Sequence, residues 1–183
     1  MAKPKKPKLW DSRKPGRQVF FQTGQIGSDY DRNLDKSIKN PVPPPIWIRR
    51  LGLQTWEGLR NESPDGLLFA WGAELGEEGD NLSAFKLMTP GDQLFQLLGP
   101  TLVVGTRIRG TWRSSRLSEE IWGMPDWELV YALDNPVPYH IPKTDILAAL
   151  DYGAGSIRGL MRAADEANVP KFRRLLKKRG GLP

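Results

Sequence analysis

Three tryptophans in the middle of the chain have the type and spacing that point most clearly to binding chemistry. Trp71 ends the apolar run 66–70, and Trp122 and Trp127 lie five residues apart. Two indoles facing a third can sandwich one unstacked nucleobase and surround an added methyl group. The glycine, proline and aspartate between the last two predict a loop, so we expect Trp122 and Trp127 to be partly exposed. Removing Trp71 or Trp122 should then barely change the melting temperature. The alternative is that large aromatics anchor the core.

Arginines at alternate positions of one predicted strand suggest a contact surface for phosphate. Over residues 101–113, alternation places Arg107, Arg109 and Arg113 on one face, and Arg116 follows just beyond. Guanidinium groups match phosphate oxygens in geometry and charge. A solvated basic face explains the same pattern equally well.

A glycine-rich turn before a predicted helix is a second candidate for phosphate binding. Ser156 follows Gly153-Ala154-Gly155, and Arg158 comes two residues later. Unpaired amides and the positive end of a helix dipole attract anions. The alternative is a flexible turn in which Ser156 caps the helix.

The residues that catalysis and metal binding require are scarce. The chain has no cysteine and one histidine, His140, so a thiolate zinc site is excluded and no Ser/His/Asp arrangement is convincing. We therefore expect a protein that is not an enzyme and has neither cofactor nor metal. No apolar run approaches the ~20 residues that cross a bilayer, and no secretory signal is visible. These features predict a cytoplasmic protein without a membrane partner.

Positive charge is concentrated at the two ends of the chain. The net charge is +6 over 183 residues, with seven Lys/Arg in residues 1–17 and six in residues 171–179. Basic ends on a more acidic body suit a polyanionic partner such as nucleic acid, but also a plain solubilising tail.

The predicted elements alternate between short strands and helices. We expect strands at 67–71, 93–98, 101–113 and 128–133, and an edge strand at 46–48. We expect helices at 80–88, 143–150, 156–167 and 169–179. Residues 19–40 show no clean period and predict a loop or short helix laid over the core.

The order of these elements resembles the PUA-like superfamily over about residues 64–162. It is similar in particular to the YTH and EVE branches and to the N-terminal specificity domains of modification-dependent restriction systems. The resemblance is carried by Phe69-Ala70-Trp71-Gly72, Pro90–Leu97, the strand containing Gly105, the two tryptophans before the strand at Glu128, and Gly155–Leu160. One departure is Gly72, where YTH domains usually have a small hydroxyl residue and many EVE domains have glycine.

The resemblance implies an α+β fold, a small antiparallel β-barrel decorated by helices. It also implies that Trp71, Trp122 and Trp127 form the cage for a methylated base. The predicted division is a basic arm at 1–17, an N-terminal extension with a proline-rich spacer at 18–63, the barrel domain at 64–168 and a basic C-terminal helix at 169–183.

These observations predict a module that reads a modified base in nucleic acid by flipping it into the aromatic cage. DNA carrying N6-methyladenine or a 5-modified cytosine is the first choice, with a nuclease or NTPase as partner or fused domain in a defence system. One alternative is a module for modified or single-stranded RNA. Another is a protein-interaction subunit in which the aromatics are buried.

Overall fold

The structure, a computed structural model, describes residues 18–153, 157–163 and 168–183. Within these ranges the chain forms six strands and seven α-helices. The strands are β1 Val19–Gly24, β2 Phe69–Ala73, β3 Gln93–Leu98, β4 Thr101–Arg113, β5 Leu129–Pro142 and β6 Leu160–Arg162. The helices are α1 Asp29–Ser37, α2 Pro44–Leu51, α3 Leu53–Glu62, α4 Asp80–Phe85, α5 Ser115–Trp122, α6 Lys143–Leu150 and α7 Val169–Arg179. None of the helices in these ranges is long and apolar enough to cross a membrane.

The strands form one curled sheet in the order β2-β5-β4-β3-β1-β6. All neighbours are antiparallel except β1 and β3, which run parallel. The register of β4 against β5 shifts three times, and such irregularities bend and twist a strand pair. The curl brings β1 close to β2. The Gln22 side-chain amide of β1 donates a hydrogen bond of 2.9 Å to the Gly72 carbonyl of β2. The predicted α+β class is confirmed.

Two apolar clusters lie on opposite faces of the sheet. Side chains alternate between faces along a strand, and on β1 Phe20 belongs to one cluster while Phe21 belongs to the other. The first, the inner cluster, contains the three tryptophans and is covered by α1 to α5. The second, the outer cluster, contains Phe172 and Leu176 of α7 and Ile146 of α6. The two sides of the sheet can therefore carry different surfaces.

Several elements have the bounds that the sequence predicts. Strands β3 and β4 and helices α6 and α7 match residue for residue. Clear signals set these limits: Gly99-Pro100 closes the β3–β4 hairpin, and Pro142 immediately precedes α6. Strand β2 lies two residues further along the chain than predicted.

The predicted domain boundary at residue 64 is not a structural boundary. Strand β1 lies inside the sheet, between β3 and β6, and α1 to α3 pack on the inner cluster, so residues 18–63 share one sheet and one core with the residues that follow. Residues 46–48 form no edge strand but lie in α2. Pro44 and Pro45 stand in its first turn. Backbone N–H groups of a first turn have no partner within the helix, so proline costs no hydrogen bond there, and its fixed φ suits the helix.

The predicted helix at 156–167 is wrong for the residues that the structure describes. Leu160–Arg162 is the short strand β6, paired antiparallel with β1. Edge pairing with β1 overrides the local helical preference here. The rest of that prediction includes residues 154–156 and 164–167, which lie outside the described ranges.

Candidate functional site

The three tryptophans of the predicted cage do come together, in what we call the tryptophan cluster. Trp71 lies in β2, Trp122 is the last residue of α5, and Trp127 precedes β5. The Trp71 ring centroid is 6.4 Å from that of Trp122 and 5.5 Å from that of Trp127, and the latter two are 5.8 Å apart. The rings meet edge to face or tilted, the arrangement that aromatic quadrupoles favour.

The rings are buried, so the expectation that Trp122 and Trp127 are partly exposed is wrong. The exposed fractions are 0% for Trp71, 5% for Trp122 and 7% for Trp127. The residues between them do form a loop, as predicted, but Trp122 itself is the last residue of α5, which Gly123 ends with a positive φ of 74°. Each ring packs edge to face or tilted against the other two, so no slot for a base lies open between them.

Helix α1 covers the cluster from the other side. The Tyr30 ring meets the Trp71 ring edge to face at 4.7 Å. The Trp122 indole N–H donates a hydrogen bond of 2.9 Å to the Ser37 hydroxyl oxygen. Lys36 donates to the Trp122 carbonyl at 3.4 Å, and the Asn33 amide contacts the Met124 sulfur at 3.3 Å. Residues of the predicted N-terminal extension, where a loop or short helix over the core was expected, thus form the helix that holds the tryptophans in place.

Packing explains why a glycine stands at position 72, where YTH domains usually have a small hydroxyl residue. A Cβ placed at this position would lie 2.9 Å from the Trp122 ring and 3.1 Å from the Trp127 carbonyl oxygen. A side chain here would push Trp122 out of the cluster. The glycine therefore permits the tryptophans to close on β2.

A small pocket opens beside the tryptophan cluster. It has a volume of about 160 Å³, of the order of one flat nucleobase. Of the three tryptophans only Trp127 lines it. The other lining residues come from β1 and its neighbours: Gln22, Thr23, Tyr30, Ala73, Glu74, Asn81, Gly159 and Leu160. We call this the base-sized pocket.

Buried hydrogen bonds fix the polar wall of the base-sized pocket. The Gln22 amide donates to the Gly72 carbonyl and accepts from the Tyr131 hydroxyl, while the Tyr30 hydroxyl donates to the Gln22 carbonyl at 3.2 Å. Burial raises the pKa of both tyrosine hydroxyls well above the ordinary value, so both remain neutral donors. Asn81 accepts from the Leu160 N–H and donates to the Glu74 carbonyl.

An acidic groove adjoins the base-sized pocket and limits how a polyanion can approach it. The groove has a volume of about 600 Å³, and its carboxylates are those of Glu74, Glu77, Asp126 and Glu128. Glu74 lines both the groove and the pocket. These carboxylates repel phosphate on this side of the pocket.

Three of the predicted phosphate-binding arginines have acceptors within the protein. Arg109 pairs with the buried Asp134, and Arg113 forms two bonds of 3.0 Å to Glu128. Arg107 donates to the Pro183 carbonyl at 2.8 Å. Giving Arg109 to a phosphate would leave a buried carboxylate without its cation, which costs several kcal/mol. The strand face predicted as a phosphate track is therefore largely an internal ion-pair network.

The remaining predicted phosphate ligands lie elsewhere. Arg116 is exposed at the start of α5, next in the chain to Ser115, which lines the acidic groove. Arg158 is exposed and precedes Gly159 at the base-sized pocket. Ser156 lies outside the described residues. Of the two that the structure describes, only Arg158 lies beside the pocket mouth, because the next residue in the chain, Gly159, lines the pocket.

Several residues of this site were missed by sequence reasoning. Gln22 and Tyr30 stand in residues 19–40, where a loop or short helix over the core was expected, and Asn81 stands in the predicted helix 80–88. The signal that could have found Gln22 is the run Val19-Phe20-Phe21, whose buried side chains are typical of an internal strand. Within the described ranges no group of three or more His, Asp or Glu could hold a metal ion.

Comparison with known proteins finds a likeness at the level of the fold. No protein-family model matches the chain, and no characterised protein matches it by sequence. Among solved structures, the fold matches the N-terminal domain of McrB from Thermococcus gammatolerans, which was solved bound to m5C DNA. The match has a TM-score of 0.66 and 13% identity, and covers 88% of this chain and 98% of that domain.

Proposed function

We propose that this protein is a non-catalytic module that binds DNA carrying a modified base, either N6-methyladenine or a 5-modified cytosine. It would act as the specificity module of a defence or restriction system, beside a nuclease or NTPase. The observation that carries the proposal is the fold shared, over nearly the whole chain, with a domain bound to m5C DNA.

The base-sized pocket is where we propose that the flipped base enters. The closed packing of the tryptophan cluster leaves no slot between its rings, so Trp71 and Trp122 support the wall from behind, and Trp127 and Tyr30 supply its aromatic surface. Amide and carboxylate groups of Gln22, Asn81 and Glu74 surround the pocket and can pair with the polar edge of a base. Arg158 beside the mouth is the proposed phosphate contact.

The energies set the expected selectivity. Flipping a base costs a few kcal/mol, and stacking on aromatic rings returns ~1 to 3 kcal/mol per base. Desolvating one methyl group contributes about 0.8 kcal/mol, which corresponds to about a fourfold preference. Affinity must therefore come mainly from backbone contacts, and methylation adds a modest discrimination.

A second candidate function is a protein-interaction subunit, and the burial of the tryptophans favours it. Their exposed fractions of 0–7% are those of core anchors. In that case the cluster stabilises the fold and the base-sized pocket has no nucleic-acid ligand.

The test is a binding panel by fluorescence anisotropy at stated salt concentrations. Duplexes and single strands of DNA and RNA are compared with and without 5-methylcytosine or N6-methyladenine. We expect the tightest binding to modified duplex DNA. Preference for single-stranded RNA would replace DNA with RNA as the ligand, and equal binding of modified and unmodified strands would overturn the reader function.

A pair of variants locates the site. Trp127→Ala removes the one tryptophan that lines the base-sized pocket, and it should reduce the affinity for modified DNA to that for unmodified DNA. Trp71→Phe is the matched control, because it changes a tryptophan of the same cluster that does not line the pocket. Retained preference in Trp127→Ala, with the fold intact by circular dichroism, would contradict this location.

A further inference from the structure

Helix α7 has one face packed on the sheet and one face turned to solvent. Val169, Phe172 and Leu176 are buried in the outer cluster. Four exposed cations occupy the opposite face, at spacings of three or four residues that bring them together on a helix surface. We call Lys171, Arg174, Lys177 and Lys178 the basic stripe.

The basic stripe has no acidic counterpart. Within the part of the chain that the structure describes, no carboxylate pairs with any of its four side chains. Arg179, at the end of the same helix, does approach Asp145 at 3.7 Å. Like charges three or four residues apart on a helix repel, so an external anion would relieve this repulsion.

An arginine-lined pocket extends the basic stripe inward. Its volume is about 390 Å³, and its cations are Arg173 of α7 and Arg107 and Arg109 of β4. Arg107 donates to the Pro183 carbonyl, Arg109 to Asp134, and Arg173 to the Gln93 side chain. Arg109 stays paired with Asp134. Each guanidinium has five N–H donors, so the bond of Arg107 to the Pro183 carbonyl leaves that side chain donors for a phosphate. One helix thus supplies both the stripe and one wall of the pocket.

This surface lies on the far side of the sheet from the base-sized pocket. Phe172 of α7 belongs to the outer cluster and Trp127 to the inner cluster. A duplex whose base is held beside Trp127 therefore cannot place the same phosphates against α7. An anion bound there must belong to a different stretch of backbone.

We propose that the basic stripe and the arginine-lined pocket form a second phosphate-binding surface, which holds DNA backbone on the face opposite to the tryptophan cluster. The inference rests on the proposed function only in taking DNA as the polyanion. Contacts to phosphate carry no base information. The surface contributes affinity and salt dependence but no preference for a methylated base.

The experiment measures affinity against salt concentration for methylated and unmethylated duplexes. The variant Lys171→Gln, Arg174→Gln, Lys177→Gln, Lys178→Gln removes the basic stripe while leaving the buried face of α7 intact. Each phosphate contact contributes about 0.9 to the slope of log affinity against log salt. We expect the slope to fall by about 3 to 4 if all four cations contact phosphate, and affinity to fall about tenfold or more for both duplexes.

The matched control exchanges the cations and keeps the charge: Lys171→Arg, Arg174→Lys, Lys177→Arg, Lys178→Arg. It should keep the wild-type slope, because the contacts depend on charge. An unchanged slope in the glutamine variant would overturn the proposal, as would a loss confined to methylated DNA. The ratio of affinities for methylated and unmethylated DNA in the wild type tests the proposed function separately, so the two can fail independently.

Discussion

The indole N–H of Trp122 donates a hydrogen bond of 2.9 Å to the hydroxyl of Ser37, and both groups are buried. This bond ties the end of α5 to the end of α1, two segments 85 residues apart in the chain. Ser37 also donates to the Asn33 carbonyl, so its hydroxyl is oriented as an acceptor for the indole. The helix over the tryptophan cluster is therefore fixed by polar contacts as well as by packing.

Ser37→Ala should lower the free energy of unfolding by ~1 to 3 kcal/mol, because a buried indole donor loses its acceptor. Urea denaturation of the variant measures this loss. In a Trp122→Phe background, which has no indole N–H, the same substitution should cost clearly less. An equal cost in both backgrounds would mean that Ser37 stabilises α1 by other contacts.

Trp71→Ala should destabilise the fold by ~3 to 5 kcal/mol, the range for deleting a large buried aromatic. The sequence predicted almost no change in melting temperature, but Trp71 is 0% exposed and packs on Tyr30, Trp122 and Trp127. Thermal denaturation followed by near-UV circular dichroism tests the two expectations. A melting temperature equal to that of the wild type would show that the cluster opens in solution.

Gly72→Ala should cost about 1 to 3 kcal/mol through overpacking, since the new methyl group would meet the Trp122 ring at 2.9 Å. Gly58→Ala is the control, because nothing lies within 4 Å of a Cβ at that helical position and alanine is the better helix former. Tryptophan fluorescence during denaturation reports both stability and the environment of the cluster. A neutral Gly72→Ala would mean that Trp122 has room to shift.

Sequence patterns predicted the elements whose limits are set locally. The β3–β4 hairpin, α6 and α7 each have turn or proline signals at an end, and their bounds are correct. The meeting of Trp71, Trp122 and Trp127 also followed from the resemblance. These features depend on residues close in the chain or on a shared order of elements.

Tertiary contacts decided what the sequence could not show. Strand β1 pairs in parallel with residues 93–98 and antiparallel with residues 160–162. The hydrophobic pattern of β1 itself does not show which strands it pairs with. Ser37 and Tyr30 of helix α1 contact Trp122 and Trp71 respectively, and the residues next to those tryptophans in the chain do not show that a distant helix covers them. Likewise, the alternation of residues along β4 predicts that Arg109 faces solvent, but Arg109 forms an ion pair with Asp134 of the neighbouring strand β5.

The ion pair of Arg109 and Asp134 makes stability depend on pH in a direction that can be worked out. Asp134 is fully buried, and only one of its two carboxylate oxygens has a partner. Burial raises the pKa of Asp134 above its ordinary value, and Arg109 opposes part of that rise. The folded state therefore holds a proton more tightly than the unfolded state, so the free energy of unfolding falls as pH rises from the ordinary value of about 3.9 to the raised one, and is level above it.

Arg109→Gln removes the opposing cation, so the pKa of Asp134 should rise further and the sloping range should extend to higher pH. At pH 7 an uncompensated buried charge costs ~3 to 5 kcal/mol, and this cost should shrink on acidification as Asp134 becomes neutral. Arg113→Gln is the control, because its partner Glu128 is partly exposed and surface pairs contribute little. Denaturation at a series of pH values compares the two variants. An equal, pH-independent loss in both would show that Asp134 does not need Arg109 and would return Arg109 to the set of residues available for phosphate.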